Sequence, residues 1–221
     1  MNRSERRPAV PSAAARATTA KRRTIAVYAS LGVMAIVIIV AIVLATNKSN
    51  VPLAASHADG AAALKVGDRA PDFSVSTTSG PFQLASAAGK PVLLEVFASW
   101  CPHCQREVPV LDKLASDYAS KAHVVAVAGS PYGIDQSVPE SQADVVGFVD
   151  KFHATYPIAF DPNLDVAKKY LQGGFPTVVL IGPKGDVQAI REGEIPAKDL
   201  HAAIDASLAG TAPDPKMGLK S

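Results

Sequence analysis

The chain has 221 residues and nearly balanced charges, with 22 Lys and Arg against 20 Asp and Glu. Its two cysteines are too few for the disulfide scaffold of small secreted proteins, so an apolar core must hold the fold together. The charges are unevenly distributed, because residues 1–24 hold seven basic residues and one acid while the remainder is mildly acidic. No aromatic or helical pattern accompanies the basic tail, so we predict no nucleic-acid partner.

An uncharged apolar stretch follows the basic tail. Residues 25–45 are rich in Ile, Val and Ala, and as a helix they would extend roughly 31 Å at about 1.5 Å per residue, which matches a bilayer core. The basic flank predicts a cytoplasmic N-terminus and an extracytoplasmic remainder, in a single-pass protein of the cell membrane. A cleaved signal peptide is the alternative, although its apolar region usually has only about 7–15 residues. We therefore predict a cytoplasmic tail over 1–24, a transmembrane helix over 25–45 and a linker over 46–65.

One domain is predicted over residues 66–209, followed by a flexible tail over 210–221. Alternation of apolar runs with amphipathic segments predicts an α/β fold, a mixed central sheet flanked by helices, with a central insertion. The predicted elements, in chain order, are a hairpin of strands 73–76 and 82–84, a buried strand 91–98, a helix 102–120 that Pro109 should kink, a strand 123–128, a loop 130–142, a helix 143–154, a strand 158–160, a helix 164–171, strands 177–181 and 187–192, and a helix 197–208.

Both cysteines lie in one motif after the strand 91–98, namely Trp100-Cys101-Pro102-His103-Cys104. If Cys101 begins a helix, the i, i+3 spacing places both sulfurs on one face, within reach of a Cys101–Cys104 disulfide. The free N–H groups and dipole of the helix N-terminus favour the thiolate of Cys101. A dithiol that ionises and closes easily is a redox couple, so we predict that Cys101 is the nucleophile and Cys104 the resolving cysteine.

Other uses of the two thiols are weaker interpretations. A zinc site needs about four ligands and would have to recruit His103 together with distant histidines. A purely structural disulfide would close so short a loop that it hardly restricts the unfolded chain. A copper chaperone would favour methionines near the thiols, whereas Met217 is the only methionine after the apolar stretch 25–45. We predict no metal and no cofactor.

Several motifs resemble known families. A Trp-Cys-x-x-Cys motif before a helix and a later Phe175-Pro176-Thr177 resemble the thioredoxin fold. The opening at 66–73, Val-Gly-Asp-Arg-Ala-Pro-Asp-Phe, resembles the TlpA/ResA group of membrane-anchored thioredoxins, as do the anchor and the insertion. That opening also resembles peroxiredoxins, but Leu94 and Ala98 occupy the positions of the conserved Pro and Thr/Ser of their motif. The Pro-His dipeptide between the cysteines resembles DsbA, which leaves the direction of electron flow open.

The resemblance implies roles for further residues. Pro176 matches the cis-proline that faces the dithiol, and Phe175, Trp100 and Pro102 are expected to shape the substrate-binding groove. Glu95 matches a buried acid that accepts the proton of Cys104, with a solvent-facing strand residue as the alternative.

Two residues near the second cysteine are also implicated. Glu107 matches a glutamate near the dithiol of ResA-like proteins, with a solvated helix residue as the alternative. His103 is expected to donate to the Cys101 thiolate or to stabilise it by its charge, which favours the reduced form.

The resemblance therefore implies a thiol–disulfide oxidoreductase outside the cytoplasmic membrane. Its partners would be protein thiols and disulfides, together with a membrane redox partner that recycles the dithiol. Whether it reduces or oxidises its substrates stays open. The alternatives are a non-catalytic binding module or metal chaperone and, with less support, a thiol peroxidase.

Overall fold

The structure is a computed structural model that describes residues 63–135 and 137–218. The predicted cytoplasmic tail, the predicted transmembrane helix and nearly all of the predicted linker lie outside the described residues. Within the described ranges, no helix combines the length and the apolar character needed to cross a membrane.

The core of the domain is a seven-stranded mixed sheet with the strand order β2-β1-β5-β4-β3-β6-β7. Neighbouring β3, β4 and β5 are parallel, whereas β1, β2, β6 and β7 pair antiparallel to their neighbours. The strands are β1 (Ser74–Thr77), β2 (Gly80–Gln83), β3 (Val92–Phe97), β4 (His123–Ala128), β5 (Ile158–Phe160), β6 (Thr177–Ile181) and β7 (Val187–Glu192).

Four α-helices and one short 3₁₀ helix accompany the sheet. They are the 3₁₀ helix Leu84–Ala87, α1 (Pro102–Asp117), α2 (Gln142–Phe152), α3 (Ala167–Tyr170) and α4 (Ala197–Leu208). Helix α1 continues through Pro109 and ends three residues earlier than predicted, where Tyr118 leaves the helical conformation and a turn begins. Helix α2 begins after a capping box formed by Ser141 and Asp144, which stabilises its first turn.

The bounds of β1 and β2 differ from the predicted ones. Ser74 lies opposite Gln83 and Thr77 lies opposite Gly80, so the turn is shorter than the predicted 77–81. Gly80 has a φ of 110°, a conformation that glycine adopts without a steric penalty, and Leu84 already belongs to the 3₁₀ helix.

Strand β3 separates two apolar layers. Leu93 and Phe97 face a layer that includes both cysteines and the buried residues of α1, α2 and α4. Leu94 and Val96 face the opposite layer, which includes Phe73 and the buried residues of α3. Because side chains alternate along a strand, Glu95 points into the same layer as the two cysteines.

The C-terminal segment differs from the predicted flexible tail. Met217 is fully buried in the layer that holds the cysteines. Arg191 donates from Nη1 to the Met217 carbonyl oxygen at 2.7 Å, and the Ile190 N–H donates to the Pro215 oxygen at 3.1 Å. Because these contacts satisfy the free edge of β7 and bury an apolar side chain, the packed domain extends to residue 218 rather than ending at 209.

Candidate active site

The two cysteines lie where the chain passes from β3 into α1. Cys101 is the N-cap of α1, with extended φ and ψ of −73° and 119°, and Pro102 occupies the first helical position. Proline suits that position because its missing N–H would have no partner there. Both cysteines are free thiols and buried, with Cys101 4% exposed and Cys104 1% exposed. The structure therefore shows the reduced form of the predicted Cys101–Cys104 pair.

The two thiols differ strongly in acidity. A hydrogen bond from the Cys104 thiol, with further ones from the backbone N–H groups of Cys104 and His103, lowers the pKa of Cys101 to about 6. Burial raises the pKa of Cys104 far above its usual range, and its hydrogen bond to Cys101 adds to this. At neutral pH the site therefore presents one thiolate and one thiol, which is the asymmetry that nucleophilic attack requires.

Glu95 is a buried acid in the layer of the dithiol. It lies between Ala126 of β4 and Val178 of β6 in the sheet register, and it is only 2% exposed. Its Oε1 has no hydrogen-bond partner in the described part of the chain. Burial raises the pKa of Glu95 well above its usual value, and the nearby charges of Glu107 and Cys101 raise it further. The burial predicted for Glu95 is confirmed, and the solvent-facing alternative is wrong.

Glu107 is buried as well, so the alternative of a solvated helix residue is wrong. It is 2% exposed, and its Oε1 accepts a hydrogen bond from the Ile195 N–H at 3.1 Å. Burial raises the pKa of this carboxyl to about 7 despite that hydrogen bond. Helix α1 thus places a second titratable carboxyl one turn beyond Cys104, held by the loop before α4.

Sequence reasoning missed a third polar group in this layer, the hydroxyl of Tyr156. The side chain is 1% exposed, and no described residue accepts from or donates to its hydroxyl. Burial raises its pKa, and the charge of Glu95 adds to that shift. A tyrosine before an apolar strand gives no signal in the sequence that distinguishes it from an ordinary core residue.

His103 does not make the direct contact with the Cys101 sulfur that was one of its two predicted roles. Its ring is exposed, with Nδ1 2.7 Å from Glu194 Oε1 and 2.8 Å from Arg106 Nη2. Arg106 also pairs with Glu194, and Arg106 followed by His103 lowers the pKa of Glu194. The His103 charge still lowers the pKa of Cys101, but it ranks behind the Cys104 thiol and the backbone N–H groups. The pairing of Glu194 with His103 and Arg106 has no signal in the sequence, since about 90 residues separate Glu194 from the motif.

The predicted groove residues surround Cys101. The Phe175–Pro176 peptide bond is cis, as predicted, and the Cys101 sulfur lies 3.5 Å from the Phe175 carbonyl oxygen. The Trp100 and Phe175 rings form an edge-on pair with centroids 6.0 Å apart. Pro102 is exposed directly beside the nucleophile. The structure thus brings together Trp100, Pro102, Phe175 and Pro176 from segments about 75 residues apart.

A loop that sequence analysis left without a role completes the site. Trp100 Nε1 donates to the Tyr132 carbonyl oxygen at 2.7 Å and to Ser130 Oγ at 3.2 Å. The buried carboxylate of Glu140 accepts from the Ser99 N–H at 2.6 Å and from the Ser130 N–H at 3.3 Å. This loop is therefore fastened to the two residues that precede the nucleophile.

These features define a class of protein, the thioredoxin-fold thiol–disulfide oxidoreductases. The sheet carries a dithiol at a helix N-terminus opposite a cis-proline, and the nucleophilic thiol has a lowered pKa. The Redoxin family model matches residues 65–206, and the chain belongs to this family.

Similar proteins support the same class. The chain is 35% identical over 143 residues to the thioredoxin-like protein YneN of Bacillus subtilis, covering 64% of this chain and 80% of that protein. It is 31% identical over 149 residues to the thiol-disulfide oxidoreductase ResA of Oceanobacillus iheyensis, covering 64% of this chain and 72% of that protein. A crystal structure assigned as the thiol:disulfide interchange protein DsbE of Chlorobium tepidum superposes with a TM-score of 0.58 at 30% identity, covering 66% of this chain and 99% of that one. The predicted thioredoxin-like fold and oxidoreductase class are confirmed.

Proposed function

We propose that this protein is a membrane-anchored, extracytoplasmic oxidoreductase that exchanges disulfides with protein substrates through Cys101 and Cys104. The observation that carries the proposal is the opposite shift in acidity of two buried thiols three residues apart. The basic tail at 1–24 and the uncharged stretch at 25–45 support the anchor and its orientation.

In the first step, the Cys101 thiolate attacks one sulfur of a substrate disulfide. A Cys101–substrate bond forms, the substrate disulfide breaks, and the departing substrate thiolate takes a proton from solvent. With a pKa of about 6, Cys101 is ionised at neutral pH, so this step needs no base. Phe175 contacts the attacking Cys101 sulfur through its carbonyl oxygen, and the Trp100 ring packs on the Phe175 ring.

In the second step, Cys104 attacks the Cys101 sulfur of the mixed disulfide. Cys104 must first lose its proton, and Glu95 lies in the same buried layer as acceptor. Forming the mixed disulfide removes the Cys101 charge, which is one of the causes that raise the pKa of Glu95. The carboxylate form of Glu95 is therefore stabilised at the stage at which it accepts the proton. A Cys101–Cys104 disulfide forms, the Cys101–substrate bond breaks, and the departing substrate thiolate takes a proton from solvent. Two electrons have then passed from the dithiol to the substrate.

The pKa of Cys101 lies between the pKa values of the nucleophilic cysteines in two proteins of the same fold, thioredoxin and DsbA. The corresponding pKa is about 7 in thioredoxin and about 3.5 in DsbA, whose potentials are about −270 mV and about −120 mV. A stabilised thiolate favours the dithiol over the disulfide, so we place the potential of this protein between those limits. Because exchange is reversible, the membrane partner that recycles the dithiol sets the net direction.

The proposal is tested on the full-length chain purified in detergent. We expect it to reduce insulin disulfides, to equilibrate with glutathione buffers between the two limiting potentials, and to lose both activities in Cys101→Ser. A chain that exchanges with neither insulin nor glutathione would contradict the proposed activity.

The anchor is tested separately in a bacterial host. Protease added to spheroplasts should remove the redox domain and leave a membrane fragment that contains the tail. Protection of the domain in intact spheroplasts would overturn the proposed orientation.

A further inference from the structure

The loop beside the dithiol carries two unusually exposed apolar side chains. We call residues 130–135 and 137–140 the active-site loop. Ile134 is 79% exposed and Val138 is 56% exposed, more than any other large apolar side chain within the described ranges. Apolar side chains clustered on an ordered surface are typical of interaction sites.

Polar contacts, rather than apolar packing, hold the tip of the active-site loop. The Gly133 N–H donates to the Val138 carbonyl oxygen at 2.7 Å, which closes the tip. Asp135 Oδ1 accepts from the Ser137 N–H at 3.1 Å, and Glu140 fastens the base of the loop to Ser99. The loop therefore has its conformation without burying Ile134 or Val138, so folding does not explain these two side chains.

A continuous series of contacts joins the active-site loop to the nucleophile. Cys101 contacts the Phe175 carbonyl, the Phe175 ring packs on Trp100, and Trp100 donates to the Tyr132 carbonyl. Ile134 is two residues beyond Tyr132. Phe175, Trp100 and Tyr132 therefore form a wall that connects the cysteine groove to the segment that carries Ile134.

The exposed polar side chains in the first turns of α1 offer little to a charged substrate. His103 and Arg106 both contact Glu194, and they also contact each other. Because these polar groups already pair with one another, the exposed apolar side chains of the active-site loop are the surface near Cys101 that is available to a substrate.

We propose that Ile134 and Val138 form a docking surface for large apolar residues next to the reacting cysteine of an extended substrate segment. This inference rests on the proposed function and specifies its substrate class. Only an extended segment places successive residues along both the cysteine groove and the neighbouring loop, at about 3.3 Å per residue. The preferred substrate is thus an unfolded or partly unfolded polypeptide whose cysteine has apolar neighbours.

The test compares three disulfide substrates with the full-length protein. Two are peptides, each disulfide-linked to glutathione, with either leucines or serines flanking the cysteine, and the third is glutathione disulfide. We expect kcat/KM to be about tenfold higher for the leucine peptide than for the serine peptide, which corresponds to partial burial of two aliphatic side chains.

Variants then assign the preference to the active-site loop. Ile134→Ser combined with Val138→Ser should lower kcat/KM for the leucine peptide about tenfold and leave the serine peptide and glutathione disulfide unchanged. Val66→Ser is the matched control, because Val66 is also a largely exposed apolar residue, with 48% of it accessible. Its neighbour Gly67 donates to the Val187 carbonyl oxygen, at the end of the sheet that is remote from Cys101. This control should keep the full preference for the leucine peptide.

Three outcomes would overturn the inference. The first is a wild type that shows no preference between the peptides. The second is a double variant that loses activity equally on all three substrates. The third is a wild-type dimer that the double variant abolishes, which would show that a second copy covers the loop. A wild type that reacts with none of the three substrates would instead refute the proposed function itself.

Discussion

His103 Nδ1 lies 2.7 Å from Glu194 Oε1, so the imidazole between the two cysteines is paired with a carboxylate from the loop before α4. The same carboxylate pairs with Arg106 one turn further along α1. The acidity of Cys101 therefore depends mainly on the Cys104 thiol and the backbone N–H groups of the helix N-terminus, and only secondarily on the histidine charge.

This ranking predicts the effect of two alanine variants on the pKa of Cys101. His103→Ala should raise it by less than Cys104→Ala, because only the second variant removes the largest stabilising hydrogen bond. Titration of the thiolate ultraviolet absorbance measures both shifts in the full-length protein. A larger rise in His103→Ala would show that the imidazole charge dominates despite its pairing with Glu194.

The roles of the two cysteines predict which variant accumulates mixed disulfides. Cys104→Ser should trap covalent complexes with substrate proteins, because Cys101 still attacks and nothing resolves the product. Non-reducing electrophoresis after alkylation detects them. Cys101→Ser is the control and should trap none; the reverse pattern would exchange the assigned roles.

Glu107 predicts a specific dependence of stability on pH. Its folded-state pKa of about 7 lies above the usual 4.5, so the folded state binds this proton more tightly than the unfolded state. Its contribution to stability is therefore fully present below about pH 4.5 and is lost as the pH rises to about 7. Glu107→Gln should remove this dependence and increase the free energy of unfolding at pH 8, relative to wild type, by up to about 3 kcal/mol. Urea unfolding at pH 5 and pH 8 measures the difference, and parallel pH profiles would contradict it.

Two tyrosines provide a matched test of hydroxyl burial. Tyr118 donates from its hydroxyl to Asp205 at 2.8 Å, so Tyr118→Phe should lower the free energy of unfolding by about 1 kcal/mol. The Tyr156 hydroxyl has no such partner among the described residues, so Tyr156→Phe should lower stability by less than Tyr118→Phe or raise it. Denaturant unfolding compares the two, and a greater loss in Tyr156→Phe would reveal a hydrogen bond at Tyr156.

The C-terminal segment should contribute to stability. Met217 is fully buried, so Met217→Ala should lower the free energy of unfolding by about 2 kcal/mol or more. Lys216→Ala is the control, because its side chain is exposed and should contribute little. Equal unfolding midpoints for the two variants would support the flexible tail that the sequence predicts.

Features that depend on neighbouring residues could be predicted from the sequence. The bounds of β4, β5, β6, β7 and α4 agree with their predicted ranges, because alternating and helical apolar patterns are local properties of the chain. The dithiol could also be predicted, since both cysteines and the helix start lie within four residues.

Only the tertiary structure decided the surroundings of that dithiol. Four of its features join segments that are distant in sequence. They are the pairing of His103 with Glu194, the contact of buried Glu107 with Ile195, the contact of Glu140 with Ser99, and the burial of Met217. A carboxylate or a methionine has the same local pattern whether it is solvated or buried. Which of the two occurs depends on the segment that packs over it, and the sheet order and loop paths determine that segment.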